Sequence, residues 1–138
     1  PFSILIKSVF IPLFLISSIR KLPALSSASA RGMWQIMPET GREWGMIIDD
    51  TTDERLDPVR STVTAARILQ NNYKTTKDWT MCIAGYNCGM GRTRSLIRKN
   101  NSSDWRIIKN KFPKETQQYI PSLLAVHYVW QYREQLGL

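Results

Sequence analysis

The sequence predicts an all-α domain, and three observations support that prediction. Apolar residues recur at helical spacing, and no stretch alternates with the two-residue period of a half-buried strand. Aspartate or proline precedes several of these stretches, as at helix starts. Glycine or asparagine follows several of them, as at helix ends. A chain of 138 residues is long enough for one domain with a single hydrophobic core.

The first predicted elements are short. Met33–Met37 and Glu39–Trp44 are expected to be two helical pieces separated at Pro38. Residues 46–57 are expected to form a loop, which carries five acidic residues. This loop lacks the alternating ligands and central glycine of an EF-hand, so a structural connection is favoured over a calcium site.

A long helix is predicted to begin at Asp57-Pro58, with the aspartate as N-cap and the proline as first helical residue. One face of it is expected to be buried, because apolar residues recur at helical spacing at Val59, Val63, Ala66, Leu69 and Tyr73. Asp78 is expected to cap the next helix, which should end near Tyr86.

The remaining predicted helices are shorter or interrupted. Gly89 and Gly91 should break the chain before helices at Ser95–Asn100 and Ser103–Lys109. Pro113 should open the last helical region. Within that region we expect a kink or restart at Pro121 and a C-terminal glycine cap at Gly137.

Composition narrows the class of protein. With 43% hydrophobic and 22% charged residues, the chain is not of the disordered class. A net charge of +8 favours polyanionic partners but does not choose among nucleic acid, anionic lipid and cell-wall polymer. Basic residues are dense between 92 and 114, but no nucleic-acid motif accompanies them, so a solvated face is favoured and no nucleic-acid partner is expected. Cys82 and Cys88 are expected to be free thiols. With a single histidine they cannot close a zinc site, so neither a metal nor a cofactor is expected.

Residues 1–23 differ from the rest of the chain, so we expect an atypical apolar segment at 1–23 and one domain at 24–138, both part of a longer protein. No acidic residue occurs before Glu39. The longest uncharged run in the segment, Ser8–Ile19, has 12 residues, and a membrane span needs about 20. A signal peptide, with small residues at Ala28-Ser29-Ala30 as its cleavage site, is the rival interpretation.

Three motifs point to a function. In chain order they are Gly32-Met33-Trp34-Gln35-Ile36-Met37-Pro38 continued by Glu39-Thr40-Gly41-Arg42, then Tyr86-Asn87-Cys88-Gly89, then Glu115-Thr116-Gln117-Gln118-Tyr119. Taken singly, each has a structural explanation: an amphipathic helix, a helix end, and a helix start with an acid in its first turn. Their combination and order are unusual, and this weighs against three coincidences.

Together the motifs resemble the SLT-type lytic transglycosylases that cut bacterial peptidoglycan, including their membrane-bound D type. The resemblance covers about residues 24–126. It implies a lysozyme-like all-α fold with a cleft for a glycan strand. It also implies cleavage between N-acetylmuramic acid and N-acetylglucosamine without addition of water, leaving anhydro-muramic ends. The implied setting is the bacterial cell envelope, periplasmic or associated with the outer membrane, with peptidoglycan as partner and a monomer close to a membrane.

The same resemblance implies which residues bind the glycan. Met33 and Gln35 would line the cleft, and a neutral amide can bind an N-acetyl group or hydroxyl without exchanging protons. Tyr86 would offer a sugar-stacking face and Asn87 an amide. Tyr119 would reach the catalytic acid. Ser18 matches the serine that follows that acid in the family.

The catalytic acid itself is missing from its expected position. The family uses a single glutamate, 15 positions before the glycine that matches Gly32, and serine occupies that position here as Ser17. A serine hydroxyl cannot donate a proton near neutral pH. Three explanations remain open: a non-catalytic peptidoglycan-binding pseudoenzyme, a deliberate inactivating substitution, or a wrong reading frame for residues 1–23. A goose-type lysozyme, which adds water, is a further alternative and also needs the glutamate.

Overall fold

A computed structural model of the protein describes residues 30–138. The predictions that concern residues 1–29, including Ser17 and Ser18, lie outside the described residues. The described residues divide into two compact units, residues 30–66 with 123–138 and residues 67–122.

The prediction of an all-α fold is confirmed for the part of the chain that the structure describes. Its helices are α1 (Pro38–Glu43), α2 (Pro58–Thr76), α3 (Trp79–Cys88), α4 (Met90–Asn100), α5 (Trp105–Ile108), the 3₁₀ helix η1 (Lys109–Lys111) and α6 (Lys114–Gln131). Extended pairing in these residues is limited to two isolated bridges, Arg31 with Ile36 and Ile48 with Asp53.

The expected helix at Met33–Met37 is wrong. Residues 32–35 form a turn, and helix α1 starts only at Pro38, which takes the first helical position. The physical reason is the backbone of Gly32 and Gln35, which adopt φ of +75° and +50°. Left-handed residues cannot continue a right-handed helix. The second expected piece, Glu39–Trp44, is confirmed as α1 with shifted bounds.

Helix α2 begins as predicted, but its buried face coincides with the predicted one only at Leu69. The Asp57 carboxylate accepts a hydrogen bond from the Arg60 backbone N–H at 2.7 Å, which is the expected cap. Val59 and Val63 were expected inside, yet their exposed fractions are 70% and 46%. The buried residues are Ser61, Thr64, Ala65, Ile68, Leu69 and Asn72.

Small polar residues can occupy this buried face because their hydrogen bonds are satisfied locally. The Ser61 hydroxyl donates to the Asp57 carbonyl at 2.6 Å. The Asn72 amide donates to the Cys82 carbonyl at 3.3 Å. Apolar periodicity alone therefore predicted Leu69 correctly but not the small polar residues of the buried face.

Other helix ends follow capping chemistry. Asp78 caps α3 by accepting from the Met81 N–H at 2.8 Å, as predicted, and α3 continues two residues beyond Tyr86. Gly89, with φ of +92°, separates α3 from α4 as expected, but Gly91 lies inside α4 and does not break it.

The C-terminal predictions are partly wrong. Of the kink or restart expected at Pro121, the restart is ruled out because helix α6 runs through that residue. Pro121 is exposed, so water can reach the backbone carbonyl that loses its helical partner there. Gly137 has the expected positive φ of 72°, but it closes the turns after α6 and does not cap the helix directly.

The second unit has an apolar core formed by α3 and the segments around it. The buried apolar residues of this unit are Ile68, Leu69, Met81, Cys82, Ile83, Ala84, Ile108, Phe112, Tyr119 and Ile120. Both cysteines are free thiols, as predicted. Burial, together with the nearby Asp78 carboxylate, raises the pKa of Cys82 to about 12, so this thiol is an unreactive core group.

The acidic loop of the first unit is tied together by a buried arginine. Arg55 is 4% exposed. Its Nε and Nη2 donate to the two carboxylate oxygens of Asp53 at 2.8 and 2.7 Å, and its Nη1 donates to the Ile36 carbonyl at 3.2 Å. These hydrogen bonds, helped by the charge of Arg31 at 3.5 Å, lower the pKa of the Asp53 carboxyl. The loop therefore acts as a structural connection, as the sequence indicated.

Asp53→Asn should lower the free energy of unfolding by roughly 3 kcal/mol at neutral pH, because it removes the carboxylate that pairs with the buried Arg55. A lowered folded-state pKa stabilises the protein fully above the unfolded-state value of about 3.9 and loses that effect as the pH falls through the folded-state value. The difference between variant and parent should thus be constant from about pH 7 to 5 and shrink below about pH 4. Urea unfolding at a series of pH values measures it. Asp50→Asn, at an exposed carboxylate in the same loop, is the control, and an equal pH profile for both variants would contradict the expectation.

Candidate functional site

The first group of candidate residues lies in a tight turn that precedes α1. Arg31 and Ile36 exchange two backbone hydrogen bonds of 3.2 Å, and the Gln35 N–H donates to the Gly32 carbonyl at 3.2 Å. The side-chain amide of Gln35 donates to the same Gly32 carbonyl at 2.7 Å. The turn therefore fixes Gln35 in a left-handed conformation and uses one of its amide hydrogens, which leaves the amide oxygen to accept from a ligand.

Met33 is held in the same turn by contacts to α2. The Trp34 ring is buried at 4% exposure, and its Nε1 donates to the Thr62 hydroxyl at 2.8 Å. That hydroxyl donates to the Pro58 carbonyl at 2.6 Å and lies 3.7 Å from the Met33 sulfur. The buried Trp34 thus anchors the turn, and Met33 and Gln35 keep intermediate exposure on either side of it.

A close backbone approach underlies this turn, and the sequence analysis missed it. A Cβ atom placed on Gly32 would lie 1.9 Å from the Arg55 carbonyl oxygen. Only glycine permits that approach, and the positive φ of Gly32 adds a second reason for glycine. The signal available in the sequence was the glycine at the head of the motif.

The second group of candidates lies in the second unit, at the end of α3 and the start of α6. Tyr119 is buried at 4% exposure, whereas Tyr86 as a whole is half-buried. Burial of the Tyr86 phenol, and secondarily its interaction with Tyr119, raises its pKa above the ordinary range. The phenol therefore stays protonated and acts as a hydrogen-bonding group, not as an acid.

Asn87 is oriented by a residue that the sequence analysis did not single out. The Thr116 hydroxyl donates to the Asn87 side-chain oxygen at 2.8 Å. Thr116 is fully buried, so water does not compete for this bond. With its oxygen engaged, Asn87 retains its NH₂ group as a donor. Thr116 belongs to the third motif. A small polar residue at that position was the feature of the sequence that could have indicated this hydrogen bond.

Thr116→Val should lower the free energy of unfolding by about 1–2 kcal/mol, because valine keeps the shape but removes the donor to a partly buried oxygen. Ser122→Ala is the control on the same helix: its hydroxyl bonds the Gln118 carbonyl at an exposed position, where water can replace it. Urea unfolding measures both variants, and the side-chain amide NMR signals of Asn87 report the loss of orientation. Equal costs for the two variants would show that Thr116 does not hold Asn87.

The structure brings these candidates together in two sets. Met33 and Gln35 share the turn of the first unit. Tyr86, Asn87 and Tyr119 share the second unit, where Tyr86 interacts with Tyr119. Ser17 and Ser18 lie outside the described residues.

The carboxylates nearest in sequence to Ser17 are Glu39 and Glu43. Both lie exposed on the short helix α1. In the part of the chain that the structure describes, histidine, cysteine and carboxylate side chains form no group able to hold a metal ion.

Comparison with known proteins places this arrangement in a family. The model of the family described as "Transglycosylase SLT domain" matches residues 17–109. The chain belongs to this family, and its helical architecture agrees with it. The prediction of an SLT-type lytic transglycosylase domain from the three motifs is thereby confirmed.

Two relatives make the similarity more specific. Each is a membrane-bound lytic murein transglycosylase D, one from Escherichia coli strain K12 and one from Escherichia coli O6:H1 strain CFT073. Each is 36% identical to this chain over an alignment of 121 residues, and the alignment covers 83% of this chain and 26% of the relative. The chain therefore spans about a quarter of the length of these relatives. Among the described residues, no helix is both long and apolar enough to cross a membrane.

Proposed function

We propose that this domain binds peptidoglycan glycan strands as a lytic transglycosylase domain, and that the chain with Ser17 binds the strand without cutting it. The observation that carries the proposal is the match to the transglycosylase family over residues 17–109. The murein transglycosylase relatives, at 36% identity, support peptidoglycan as the substrate class.

The candidate residues suit recognition of an uncharged, hydroxyl-rich polymer. The Gln35 oxygen can accept from a sugar hydroxyl, and the Asn87 NH₂ can donate to an N-acetyl oxygen. Tyr86 contributes aromatic surface and a protonated hydroxyl. Met33 supplies a polarizable apolar contact for a sugar ring. None of these groups needs to ionise, so we expect glycan binding to change little between pH 5 and 8.

The cleavage chemistry implied by the family depends on one carboxyl group. That group protonates the glycosidic oxygen of the leaving N-acetylglucosamine as the bond to the muramic anomeric carbon breaks. As carboxylate it then takes the proton from a hydroxyl of the same muramic sugar, whose oxygen closes on the anomeric carbon. Bonds and protons balance without water, and the product is an anhydro ring. With serine at position 17 the first proton transfer has no donor, so binding without cleavage follows.

We further propose a place in the bacterial cell envelope, periplasmic or associated with the outer membrane, and a monomeric domain close to a membrane. The names of the relatives, which describe them as membrane-bound, support this location.

Incubation of the full chain with purified sacculi tests the proposal. We expect the protein to sediment with the sacculi and mass spectrometry of the supernatant to find no fragments with anhydro-muramic ends. Failure to sediment would overturn the binding proposal. Anhydro fragments from the unmodified chain would show that another group supplies the acid, and fragments with reducing muramic ends would indicate a hydrolase of the lysozyme type.

A further inference from the structure

The net charge of the protein is concentrated in the second unit. Residues 67–122 contain eleven Lys and Arg against three Asp and Glu, which accounts for the whole net charge of +8. The remaining residues are balanced, with eight of each sign. The solvation of an ordinary surface does not require such a separation, and large fields of one sign attract oppositely charged surfaces.

Helix α4 presents this charge on one face. Its basic residues, Arg92, Arg94, Arg98 and Lys99, are all exposed, and at 100° per residue they fall within an arc of about 160°. Thr93, on the opposite side, is fully buried. The solvent face of α4 is thus cationic along its whole length and contains no acid.

The basic residues of α4 destabilise the helix that carries them. Arg94 and Arg98 are four residues apart, and like charges at that spacing destabilise a helix by a few tenths of a kcal/mol. Arg92 lies in the first turn, where the helix dipole disfavours a cation. Helix propensity therefore does not explain this face.

The chain offers little to neutralise the α4 face. Within residues 30–138 the basic side chains of α4 take part in no ion pair. Of the three acids in the second unit, Asp104 is paired with Arg106 at 2.7 Å, Asp78 caps α3, and Glu115 lies in the first turn of α6. Residues 1–29 contain no Asp or Glu, so no carboxylate side chain from that segment could pair with it. Among residues 30–138, the α4 cations thus remain available to an anionic ligand.

The next helix adds an apolar element. Helix α5 contacts α4, and its Ile107 is 66% exposed between two basic stretches. Arg106 precedes it, and Lys109 and Lys111 follow it on η1, all exposed. Soluble polyanions bind cations but give no role to an exposed isoleucine, whereas a lipid surface takes up both.

We propose that the basic face, defined as the cationic residues of α4 together with Ile107, Lys109 and Lys111, docks on a bilayer that contains anionic phospholipid. Headgroup phosphates neutralise the arginines and lysines, and Ile107 enters the boundary between headgroups and acyl chains. The lipid contact uses the second unit alone. It is tested independently of glycan binding, which the sacculus assay measures without lipid.

Flotation with phospholipid vesicles tests the proposal. The unmodified chain should float with vesicles of 70% phosphatidylcholine and 30% phosphatidylglycerol at low salt and should not float with pure phosphatidylcholine. Each basic residue near an anionic surface contributes about a fivefold factor in partition. The triple variant Arg94→Gln, Arg98→Gln, Lys99→Gln should therefore bind roughly a hundredfold more weakly. Circular dichroism checks that it remains folded.

A matched triple variant distinguishes an effect of the basic face from an effect of net charge on vesicle binding. Arg67→Gln, Lys74→Gln, Lys77→Gln removes the same charge from exposed positions on and just after α2. It should weaken vesicle binding far less than the α4 variant, and equal losses would overturn the proposal. Binding without preference for phosphatidylglycerol would overturn it as well.

A single variant distinguishes binding to lipid from binding to soluble polyanions. Ile107→Ser should weaken vesicle binding several-fold while leaving elution from a heparin column unchanged. If vesicle binding also stays unchanged, and double-stranded DNA is bound more tightly than vesicles, the face serves a nucleic acid and the lipid proposal is wrong.

Discussion

Replacing Ser17 with glutamate should raise the release of anhydro-muramic fragments from purified sacculi by about 10²–10⁴-fold over the unmodified chain. That factor is what a positioned general acid–base group contributes, and it corresponds to about 3–5 kcal/mol of barrier. The effect rests on the family match, which begins at residue 17, and on the single catalytic carboxylate that the resemblance to the family implies. Mass spectrometry of the soluble fragments measures both the yield and the anhydro end.

Two control variants isolate the carboxyl group and its position. Ser17→Gln adds similar bulk without an ionisable proton and should stay inactive. Ser18→Glu supplies a carboxyl one residue away and should also stay inactive. Activity from Ser18→Glu would place the catalytic position one residue later than the motif spacing indicates.

The outcome also separates the three explanations for the serine. Activity from Ser17→Glu would mean that the rest of the site is intact, as after a single inactivating change. Silence from Ser17→Glu, with binding to sacculi retained, would favour a pseudoenzyme or a wrong reading frame for residues 1–23. The coding DNA then decides, because the frame explanation requires a Glu-Ser pair in an alternative frame at this place.

Local chemistry in the sequence was the most dependable guide to the fold. Asp57 and Asp78 were predicted as caps, and both accept the expected backbone hydrogen bonds. These predictions succeeded because a cap depends only on residues two or three positions away. Predictions that depended on distant partners fared worse. Val63 is exposed, since burial along α2 is decided by what packs against it and not by its apolar spacing.

In the candidate site too, features that depend on neighbouring residues could be predicted from the sequence, and contacts between distant residues could not. The residue types of the motifs could be assigned to glycan binding from their resemblance to a family. The contacts that hold them could not, because the Thr116 bond to Asn87 spans 29 positions in the chain. The sequence predicts a helix where the structure has the turn at Gln35, because Met, Trp and Ile at close spacing are also typical of an amphipathic helix. Only the left-handed backbone of the turn distinguishes the two.

Gly32→Ala should destabilise the protein by about 4 kcal/mol or more, the largest effect expected from any single methyl group in the described residues. The added Cβ would lie 1.9 Å from the Arg55 carbonyl oxygen, and backbone atoms cannot rotate away as a flexible side chain can. The positive φ of 75° adds about 1 kcal/mol of strain. Domains of this size have a total stability of about 5–15 kcal/mol, so the variant should be partly unfolded or insoluble at 37 °C.

Substitutions at two other glycines separate the cost of backbone strain from the cost of the close contact with Arg55. Gly45 has a φ of +80° with open space around its Cβ position, so Gly45→Ala should cost only the backbone strain of about 1 kcal/mol. Gly91 lies inside α4 with open space and no positive φ, so Gly91→Ala should stabilise by about 0.5–1 kcal/mol. Urea unfolding followed by circular dichroism gives the three values. If Gly32→Ala costs no more than Gly45→Ala, the close approach to Arg55 is not a constraint. If it costs several kcal/mol more, the glycine that heads the first motif is required by the backbone that positions Met33 and Gln35, whatever those residues bind.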